Sequence, residues 1–218
     1  MPELPEVETI ARNLKRGAGG APSLIGQTIA SARLFWVRTL ETPDPESFSA
    51  MLAGQTVHQI GRRGKFLMLT LTDSVLVIHL RMSGDLRVEP ATKPTAKHDR
   101  LHLNFTSPWR LSFNDTRKFG RVWLLQDPST LFSTLGPEPD DPTLTPERFF
   151  AMLQTKSRAI KPLLMDQHFL AGLGNIYTDE TLFRAGIHPL QPSDTLDQLT
   201  AANLLDAIRL TLAKGIEN

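Results

Sequence analysis

The sequence contains no cysteine and only one tyrosine among its 218 residues. Without cysteine, the chain has no disulfide, no thiol nucleophile and no Cys-ligated metal site. It also lacks any run of about 18 consecutive apolar residues, which excludes a transmembrane helix of ordinary length. The N-terminus is acidic and has no apolar stretch of the kind found in a secretory signal peptide. We therefore expect a cytoplasmic protein that does not bind a membrane.

Apolar residues make up 40% of the sequence, which is enough for a folded core and excludes a disordered chain. The formal net charge of +1 conceals an uneven distribution. Residues 57–127 carry 12 basic and 6 acidic side chains, whereas residues 128–218 carry 7 basic and 11 acidic ones. The basic middle segment favours a polyanionic partner, with nucleic acid as the first candidate. A solvated basic face with no partner is the alternative.

Hydrophobic periodicity predicts a helix followed by a β-domain in the first part of the chain. Residues 5–16 place Val7, Ile10, Ala11 and Leu14 on one helical face, and Gly17 is a suitable end. Short strands then follow without intervening helices, which favours an antiparallel sandwich or barrel. The predicted strands are Thr28–Phe35, Val57–Gly61, Phe66–Leu71, Val75–Leu80, Leu101–Phe105, Arg110–Phe113 and Val122–Leu125.

Residues 133–146 contain four prolines and Gly136 without an apolar period, which predicts a linker. The domain limits are therefore 1–132 for the β-domain and 147–218 for a helical domain. The predicted helices are Pro146–Gln154, Ala159–Asp166 with Ser157 as its N-cap, Asn175–Ala185 closed by Gly186, and Thr200–Lys214 ended by Gly215. The fold class is α+β and multidomain.

The N-terminal Pro2-Glu3 pair carries a possible covalent chemistry. A small second residue permits removal of Met1, which would expose the secondary amine of proline. An α-amino group has a pKa of about 7.7–8.0, so part of it is unprotonated and nucleophilic near neutral pH. Attack of this amine on a sugar C1′ gives an iminium ion that acts as an electron sink, and Glu3 is placed to move protons. The alternative is an ordinary proline near a helix start.

Three basic or polar turns follow in the β-domain, and each has two interpretations. Lys65, in a basic turn entering a strand, is a phosphate ligand or proton donor, or else lies at a solvated hairpin tip. Met82, in the turn after His79, is a wedge between base steps or else a core filler. Arg117 and Phe119 share a turn in which Arg can contact a phosphate or base edge and Phe can stack. The alternative is a basic β-turn with a buried Phe.

The Gly172-Leu173-Gly174-Asn175 turn opens a predicted helix. Free backbone N–H groups at a helix N-terminus suit a phosphate, and the Asn175 amide adds a donor. A plain helix–helix turn is the alternative.

Together these segments resemble the formamidopyrimidine-DNA glycosylase family over essentially the whole chain. The N-terminal segment from Pro2 to Thr9 is specific to that family, and the related endonuclease VIII branch usually differs just after Pro-Glu. The matching segments, in order, are His79–Gly84, Asp115–Gly120, Ile160–Gln167, Gly172–Tyr177 and Ala185–Pro189. The resemblance implies an N-terminal helix with an antiparallel β-sandwich as catalytic domain, followed by an all-α helix–two-turn–helix DNA-binding domain.

The activity implied by the resemblance is base excision repair of oxidised purines in double-stranded DNA, by a monomer that is both a glycosylase and an AP lyase. Pro2 would be the Schiff-base nucleophile, Glu3 a proton donor, and Lys65 a participant in β-elimination that contacts phosphate. His79, His98, Lys156 and Asn175 would hold the backbone around the extruded nucleotide. Met82, Arg117 and Phe119 would fill the vacated stack, with Arg117 pairing the orphaned cytosine.

The resemblance also implies one structural zinc ion in a C-terminal finger, but the Cys ligands of such a finger are absent from this chain. We expect the sequence to be a fragment that stops where that finger would begin, and a natural truncation is the alternative. Two other functions stay open: a weakly active or non-catalytic DNA-binding protein, and an endonuclease VIII-like glycosylase for oxidised pyrimidines.

Overall fold

The computed structural model describes residues 1–217, which form two compact units. The first unit comprises Met1–Pro2 with Val7–Leu131, and the second comprises Glu3–Glu6 with the residues from Phe132 onward. Residues 133–146, predicted as a linker, group with the second unit, where the Gly136 N–H donates to Gln167 O at 2.9 Å. None of the helices in residues 1–217 has the length and apolar character needed to cross a membrane.

Helix α1 spans Leu4–Arg16 and confirms the predicted N-terminal helix. Its apolar stripe is buried at Val7, Ala11 and Leu14, each at most 5% exposed. The helix ends where the Gly17 N–H donates to Asn13 O at 2.8 Å, with Gly17 at a φ of +82°. A residue with a Cβ is strained in that left-handed conformation, which explains why the helix stops at glycine.

The first unit contains two β-sheets, with strand orders β1-β7-β8-β6 and β2-β9-β5-β4-β3. The antiparallel architecture is confirmed, although the β2–β9 pair within the described residues is parallel. The apolar core includes Leu67, Leu76, Ile78 and Leu103, all fully buried. The strands are β1 Ile29–Leu34, β2 Leu40–Thr42, β3 Gln59–Arg63, β4 Phe66–Thr70, β5 Val75–His79, β6 Gly84–Pro90, β7 Asp99–Phe105, β8 Trp109–Asp115 and β9 Arg121–Leu125.

Several elements lie where the sequence predicted none. They include strands β2 and β6, helix α2 (Pro45–Leu52) and helix α3 (Ser129–Phe132). Helix α2 has the local signals of a helix start. The Asp44 carboxylate accepts the N–H groups of Glu46 and Ser47, both at 3.0 Å, and Pro45 occupies the first turn. Strand β6 was not predicted, although residues 86–89 alternate apolar and polar. Its burial does not follow that alternation, because Glu89 is buried while Val88 is only partly buried.

The second unit is helical, as predicted. Its apolar core includes Phe149, Leu164 and Leu205, each fully buried. The helices are α4 Pro146–Gln154, α5 Ile160–Met165, α6 Asn175–Ala185 and α7 Gln198–Glu217. Helix α6 ends at Gly186, which has a φ of +66°.

Two local predictions in this unit are wrong. The N-cap of α5 is Ala159, which makes no side-chain capping bond, and Ser157 lies outside that position. Helix α7 also continues through Gly215 to Glu217. Gly215 serves packing instead, because a Cβ there would lie 2.5 Å from the Tyr177 ring. A glycine in a helix costs about 1 kcal/mol, which tertiary packing readily offsets.

Candidate active site and nucleic-acid interface

The turn between β5 and β6 presents Met82 to solvent. Its backbone is closed by the Gly84 N–H, which donates to Leu80 O at 3.0 Å, and Arg81 has a φ of 55°. The Met82 side chain is 43% exposed, so its interpretation as a core filler is wrong. An exposed methionine on a constrained turn is suited to contact an apolar surface such as a base step.

The turn between β8 and β9 presents Arg117 and Phe119. Phe119 is 46% exposed, so the alternative of a buried Phe is wrong. The Arg117 guanidinium carbon lies 4.9 Å from the centroid of the Phe119 ring, within cation–π range. Lys118, between them, has a φ of 61°, and its Nζ lies 4.0 Å from the Trp36 ring centroid. This turn therefore holds a cation and an aromatic face side by side at the surface.

The Asp115 carboxylate holds this second turn in shape, and the sequence analysis gave that residue no role. Its Oδ1 accepts the Arg117 N–H at 3.1 Å and its Oδ2 accepts the Gly120 N–H at 2.8 Å. It also accepts the Ser83 hydroxyl from the first turn. Burial alone would raise the pKa of Asp115, but the hydrogen bonds from Ser83, Gly120 and Arg117 outweigh it and hold the pKa below its usual value.

His79 ends strand β5 and is 8% exposed. Its Nδ1 accepts the Arg81 N–H at 3.0 Å, which places the proton of the neutral ring on Nε2. Burial, followed by the charges of Arg81 and Lys65, lowers the pKa of His79 to about 3. The ring also meets Phe66 edge-on, with centroids 4.6 Å apart. His79 is therefore a neutral N–H donor at physiological pH.

Lys65 lies in the two-residue turn between β3 and β4, where Arg63 pairs with Phe66. Gly64 precedes it with a φ of 55°, as a tight hairpin requires. Lys65 is only 6% exposed, so the alternative of a solvated hairpin tip is wrong. A lysine side chain this buried is held in place by its surroundings. Such a fixed position suits a phosphate ligand or a proton donor.

His98 is half-buried at the end of the 91–98 loop, directly before β7. Its carbonyl accepts the Asp115 N–H at 2.9 Å. The Arg100 Nε in turn donates to Asp115 O at 2.7 Å, and an Arg100 terminal nitrogen lies 3.4 Å from His98 Nδ1. The first unit thus places His98 next to the turn that carries Arg117 and Phe119.

Pro2 is half-buried and Met1 is 44% exposed. Because Met1 precedes it in this chain, the Pro2 nitrogen is a peptide nitrogen and has no basic lone pair. Removal of Met1 is the step that would convert this atom into a secondary amine.

Glu3, in the second unit, is 1% exposed and lies at the start of helix α6. Its carboxylate accepts the N–H groups of Gly174 at 2.6 Å, Ile176 at 2.9 Å and Tyr177 at 3.3 Å. The Glu3 N–H donates to Glu6 Oε2 at 2.7 Å. The Glu3 side chain is therefore fixed by three backbone donors of one helix N-terminus, where the dipole favours a negative charge.

Three of the backbone donors at the helix α6 N-terminus, those of Gly174, Ile176 and Tyr177, are taken by Glu3 and not by a phosphate. The phosphate contact of Asn175 stays a prediction. Asn175 itself is exposed at the start of α6, and Lys156 is exposed after α4. Both polar side chains are thus accessible to a ligand of the second unit.

The two glycines of this turn let the N-terminal residues approach its backbone. A Cβ on Gly174 would lie 2.5 Å from Glu3 Oε1, and one on Gly172 would lie 2.5 Å from Leu4 Cδ1. The Leu4 N–H also donates to Gly172 O at 3.1 Å. Glycine is required at both positions because any side chain would displace Glu3 or Leu4.

The residues of this chain do not fit a four-cysteine zinc site, because the sequence contains no cysteine. Within residues 1–217, one His and carboxylate cluster has ligand atoms within 4.8 Å of each other: Glu89, Asp99 and His102. Its carboxylates already accept hydrogen bonds, from Arg110 at 2.8 Å and from Asn114 at 2.8 Å.

Comparison with protein families identifies the one to which this chain belongs. The family model for the formamidopyrimidine-DNA glycosylase N-terminal domain matches residues 1–122, and that for the H2TH domain of the same proteins matches residues 135–218. The chain belongs to the formamidopyrimidine-DNA glycosylase family. The enzyme of that name from Protochlamydia amoebophila is 40% identical over 218 residues, covering 100% of this chain and 77% of the relative. That from Chloroflexus aggregans is 46% identical over 222 residues, covering 100% and 78%.

Solved structures of the family share the fold. A Lactococcus lactis formamidopyrimidine-DNA glycosylase bound non-covalently to DNA containing an AP site has a TM-score of 0.90 and 37% identity, covering 99% of this chain and 82% of its own. A mutant of the same enzyme in complex with a THF-containing DNA has a TM-score of 0.91 and 36% identity, covering 99% and 78%. These matches confirm the predicted fold class of N-terminal helix, antiparallel sheets and C-terminal helical region.

Proposed function

We propose that this chain, after removal of Met1, excises oxidised purines from double-stranded DNA and then cleaves the strand. The Pro2 amine attacks C1′ of the damaged nucleotide, the bond from C1′ to the base breaks, and the base leaves with a proton. The C1′–O4′ bond of the resulting aminal then breaks, O4′ takes a proton, and the opened sugar is held as an iminium ion. This iminium ion accepts the electrons released when a C2′ proton is lost, which expels the 3′ phosphate by β-elimination. A second elimination expels the 5′ phosphate, and water hydrolyses the remaining adduct to free Pro2.

The fixed carboxylate of Glu3, in the residue that follows Pro2, carries this proposal. A proton-transfer group must be held within hydrogen-bond reach of the reacting atoms, and three backbone N–H groups hold this one. Glu3 would protonate the sugar or the departing base. Lys65 would assist the β-elimination and contact phosphate.

The remaining site residues would bind the DNA. His79 offers a neutral Nε2–H to a phosphate oxygen, and His98, Lys156 and Asn175 would contact the backbone around the extruded nucleotide. Extrusion costs a few kcal/mol of unstacking, which Met82, Arg117 and Phe119 would offset by filling the gap. Arg117 would pair with the orphaned cytosine. The partner is damaged double-stranded DNA, and the protein acts as a monomer.

Borohydride trapping tests this function. The protein is mixed with DNA containing an oxidised purine, reduced, and digested with trypsin. The peptide 2–12 contains no lysine, so an adduct on it identifies the N-terminal amine as the nucleophile. We expect the adduct on this peptide in protein lacking Met1, and none in protein that retains Met1.

Other outcomes would replace the proposal. DNA that binds without an adduct would indicate a non-catalytic DNA-binding protein. An adduct formed only with oxidised pyrimidines would indicate an endonuclease VIII-like specificity. An adduct on a lysine peptide would overturn the role of Pro2.

A further inference from the structure

The two exposed turns of the first unit are joined by a small hydrogen-bonded group, here called the turn clasp. It consists of the Ser83 hydroxyl, the Asp115 carboxylate and the Arg117 backbone N–H. The Ser83 hydroxyl donates to Asp115 Oδ1 and accepts the Arg117 N–H at 3.2 Å, while Asp115 Oδ1 accepts the same N–H at 3.1 Å. Ser83 follows Met82 directly, so the turn clasp connects the backbone beside Met82 to the backbone of Arg117.

The turn clasp reaches from the surface to the core, because Arg117 is exposed, Ser83 is half-buried and Asp115 is buried. Asp115 is 1% exposed, and a buried carboxylate is stable only when its hydrogen bonds are satisfied. Strand register adds a second connection, because Gly84 pairs with Asp115 across β6 and β8. Two such links leave the turns little freedom to move independently.

A shared packing partner makes a third connection. A Cβ on Gly84 would lie 2.9 Å from Cε2 of Phe113, and one on Gly120 would lie 2.9 Å from Cε1 of the same ring. The Phe113 ring, 1% exposed, therefore lies against a glycine from each turn. The absence of side chains at both positions lets both turns pack on one rigid group.

We infer that Ser83 and Asp115 are positioning residues that make the two turns one element, so that Met82 enters the DNA stack together with Arg117 and Phe119. This inference rests on the proposed function of refilling a vacated stack. The turn clasp uses a hydroxyl, a carboxylate and a backbone N–H. It therefore leaves the side chains of Met82, Arg117 and Phe119 to contact DNA.

Ser83→Ala and Asp115→Asn test the inference. Ser83→Ala removes the side-chain hydrogen bonds between the turns and leaves the strand register and the Phe113 packing in place. Asp115→Asn replaces an acceptor of the Gly120 N–H by an amide that cannot satisfy every donor. Ser112→Ala is the matched control, because it removes a buried hydroxyl that bonds Glu89 at 2.7 Å on the same sheet. Thermal unfolding of each variant shows whether it is folded, and Ser83→Ala is the milder of the two changes.

Two measurements separate insertion from covalent chemistry. The fluorescence of 2-aminopurine placed beside a tetrahydrofuran abasic analogue reports insertion, because that analogue cannot form a Schiff base. Borohydride trapping on single-stranded DNA with a natural abasic site reports the Pro2 chemistry, because single-stranded DNA leaves no stack to refill. We also compare excision of the oxidised purine opposite cytosine with excision opposite adenine.

We expect Ser83→Ala to reduce the fluorescence change and to slow excision about tenfold, the effect of losing a hydrogen bond to a charged group. The preference for cytosine should fall, and trapping on single-stranded DNA should stay within about twofold of wild type. Because both changes break the same group, Ser83→Ala with Asp115→Asn should be no slower than Asp115→Asn alone.

Fluorescence and cytosine preference that match wild type in folded Ser83→Ala would overturn the inference while leaving the Schiff base intact. An equal loss in Ser112→Ala would also overturn it, because the effect would then be general destabilisation. The wild-type protein could change the 2-aminopurine fluorescence and yet give no adduct with the oxidised purine or with single-stranded abasic DNA. The proposed Schiff-base chemistry would then fail, while the inference about the turn clasp, which needs only insertion into the stack, would stand.

Discussion

The Glu3 carboxylate and the Gly174 N–H are 171 residues apart in the chain and are joined by a hydrogen bond of 2.6 Å. With the bonds from Ile176 and Tyr177, it makes the Glu3 carboxylate the acceptor for the free backbone N–H groups at the start of helix α6, whose N-cap residue is Gly174. The same carboxylate thus has a structural role and a proposed chemical one. Changes at either partner are expected to affect both stability and catalysis.

Glu3→Gln should lower both stability and adduct formation. The glutamine amide places an NH₂ group against backbone donors, leaving at least one buried N–H without an acceptor at a cost of about 1–3 kcal/mol. The melting temperature should fall by about 3 °C or more. Calorimetry and borohydride trapping measure the two effects. Glu8→Gln, which changes a carboxylate that pairs with Arg12 and Arg62 and does not bond helix α6, is the control and should change trapping less than twofold. Trapping at the wild-type rate in Glu3→Gln would refute its role.

Gly174→Ala should displace the Glu3 carboxylate, because the new Cβ would lie 2.5 Å from Glu3 Oε1. We expect a loss of adduct formation of at least about tenfold, since misplacement of a proton-transfer group is costly. Gly61→Ala is the matched control, because a Cβ there meets no atom within 4 Å. Trapping kinetics decide the matter, and equal rates in the two variants would show that the position of the carboxylate is unimportant.

Stability should fall in acid partly through His79. The unfolded chain binds a proton there near pH 6.5, whereas the pKa of about 3 keeps the folded ring neutral. The folded state therefore excludes that proton between these values, and the free energy of unfolding decreases as the pH falls from about 6.5 towards 3.

His79→Gln should lose less stability than wild type between pH 7.5 and 5, measured by urea unfolding. His58→Gln, at an exposed position, should behave as wild type. Identical pH dependence in wild type and His79→Gln would contradict the prediction.

The local part of the fold was predictable because its signals are local. The stripe of Val7, Ala11 and Leu14 defines α1, and Gly186 ends α6. The burial on strand β6 could not be predicted, because the alternation of residues 86–89 gives no sign that Glu89 is the buried side chain. The buried charge is stabilised by Arg110 at 2.8 Å and by the Ser112 hydroxyl at 2.7 Å, both on β8.

The sequence predicted which residues form the candidate site, but it did not predict their burial or their contacts. The exposure of Met82 excluded its interpretation as a core filler, and the burial of Lys65 excluded a solvated hairpin tip. The functional roles of both residues stay predictions. The sequence signal at Ser83 and Asp115 was weaker. Ser83 directly precedes Gly84 in one turn, and Asp115 lies two residues before Arg117 in the other. Their link was invisible because it joins turns 32 residues apart.

DNA binding should weaken steeply with salt if the basic face contacts phosphates. About six phosphate contacts would reduce affinity ~10³-fold between 50 and 200 mM salt. Fluorescence anisotropy with DNA containing a tetrahydrofuran site gives the slope of log K against log salt. Lys156→Gln should reduce that slope by about one, whereas Lys214→Gln, exposed on α7, should not change it. A slope near zero in wild type would exclude phosphate contacts as the source of affinity.

Met82→Ala should weaken insertion without weakening the fold. Met82 is 43% exposed, so truncation removes little buried area, and the melting temperature should stay within about 1 °C of wild type. The wedge, however, is lost, and we expect excision to slow about tenfold while trapping on single-stranded abasic DNA is unchanged.

Met51→Ala is a close control, because Met51 is 46% exposed on helix α2, outside both turns. It should alter neither rate. If Met82→Ala excises the base as fast as Met51→Ala, then an apolar wedge at this position contributes nothing to extrusion. Filling of the gap would then depend on Arg117 and Phe119.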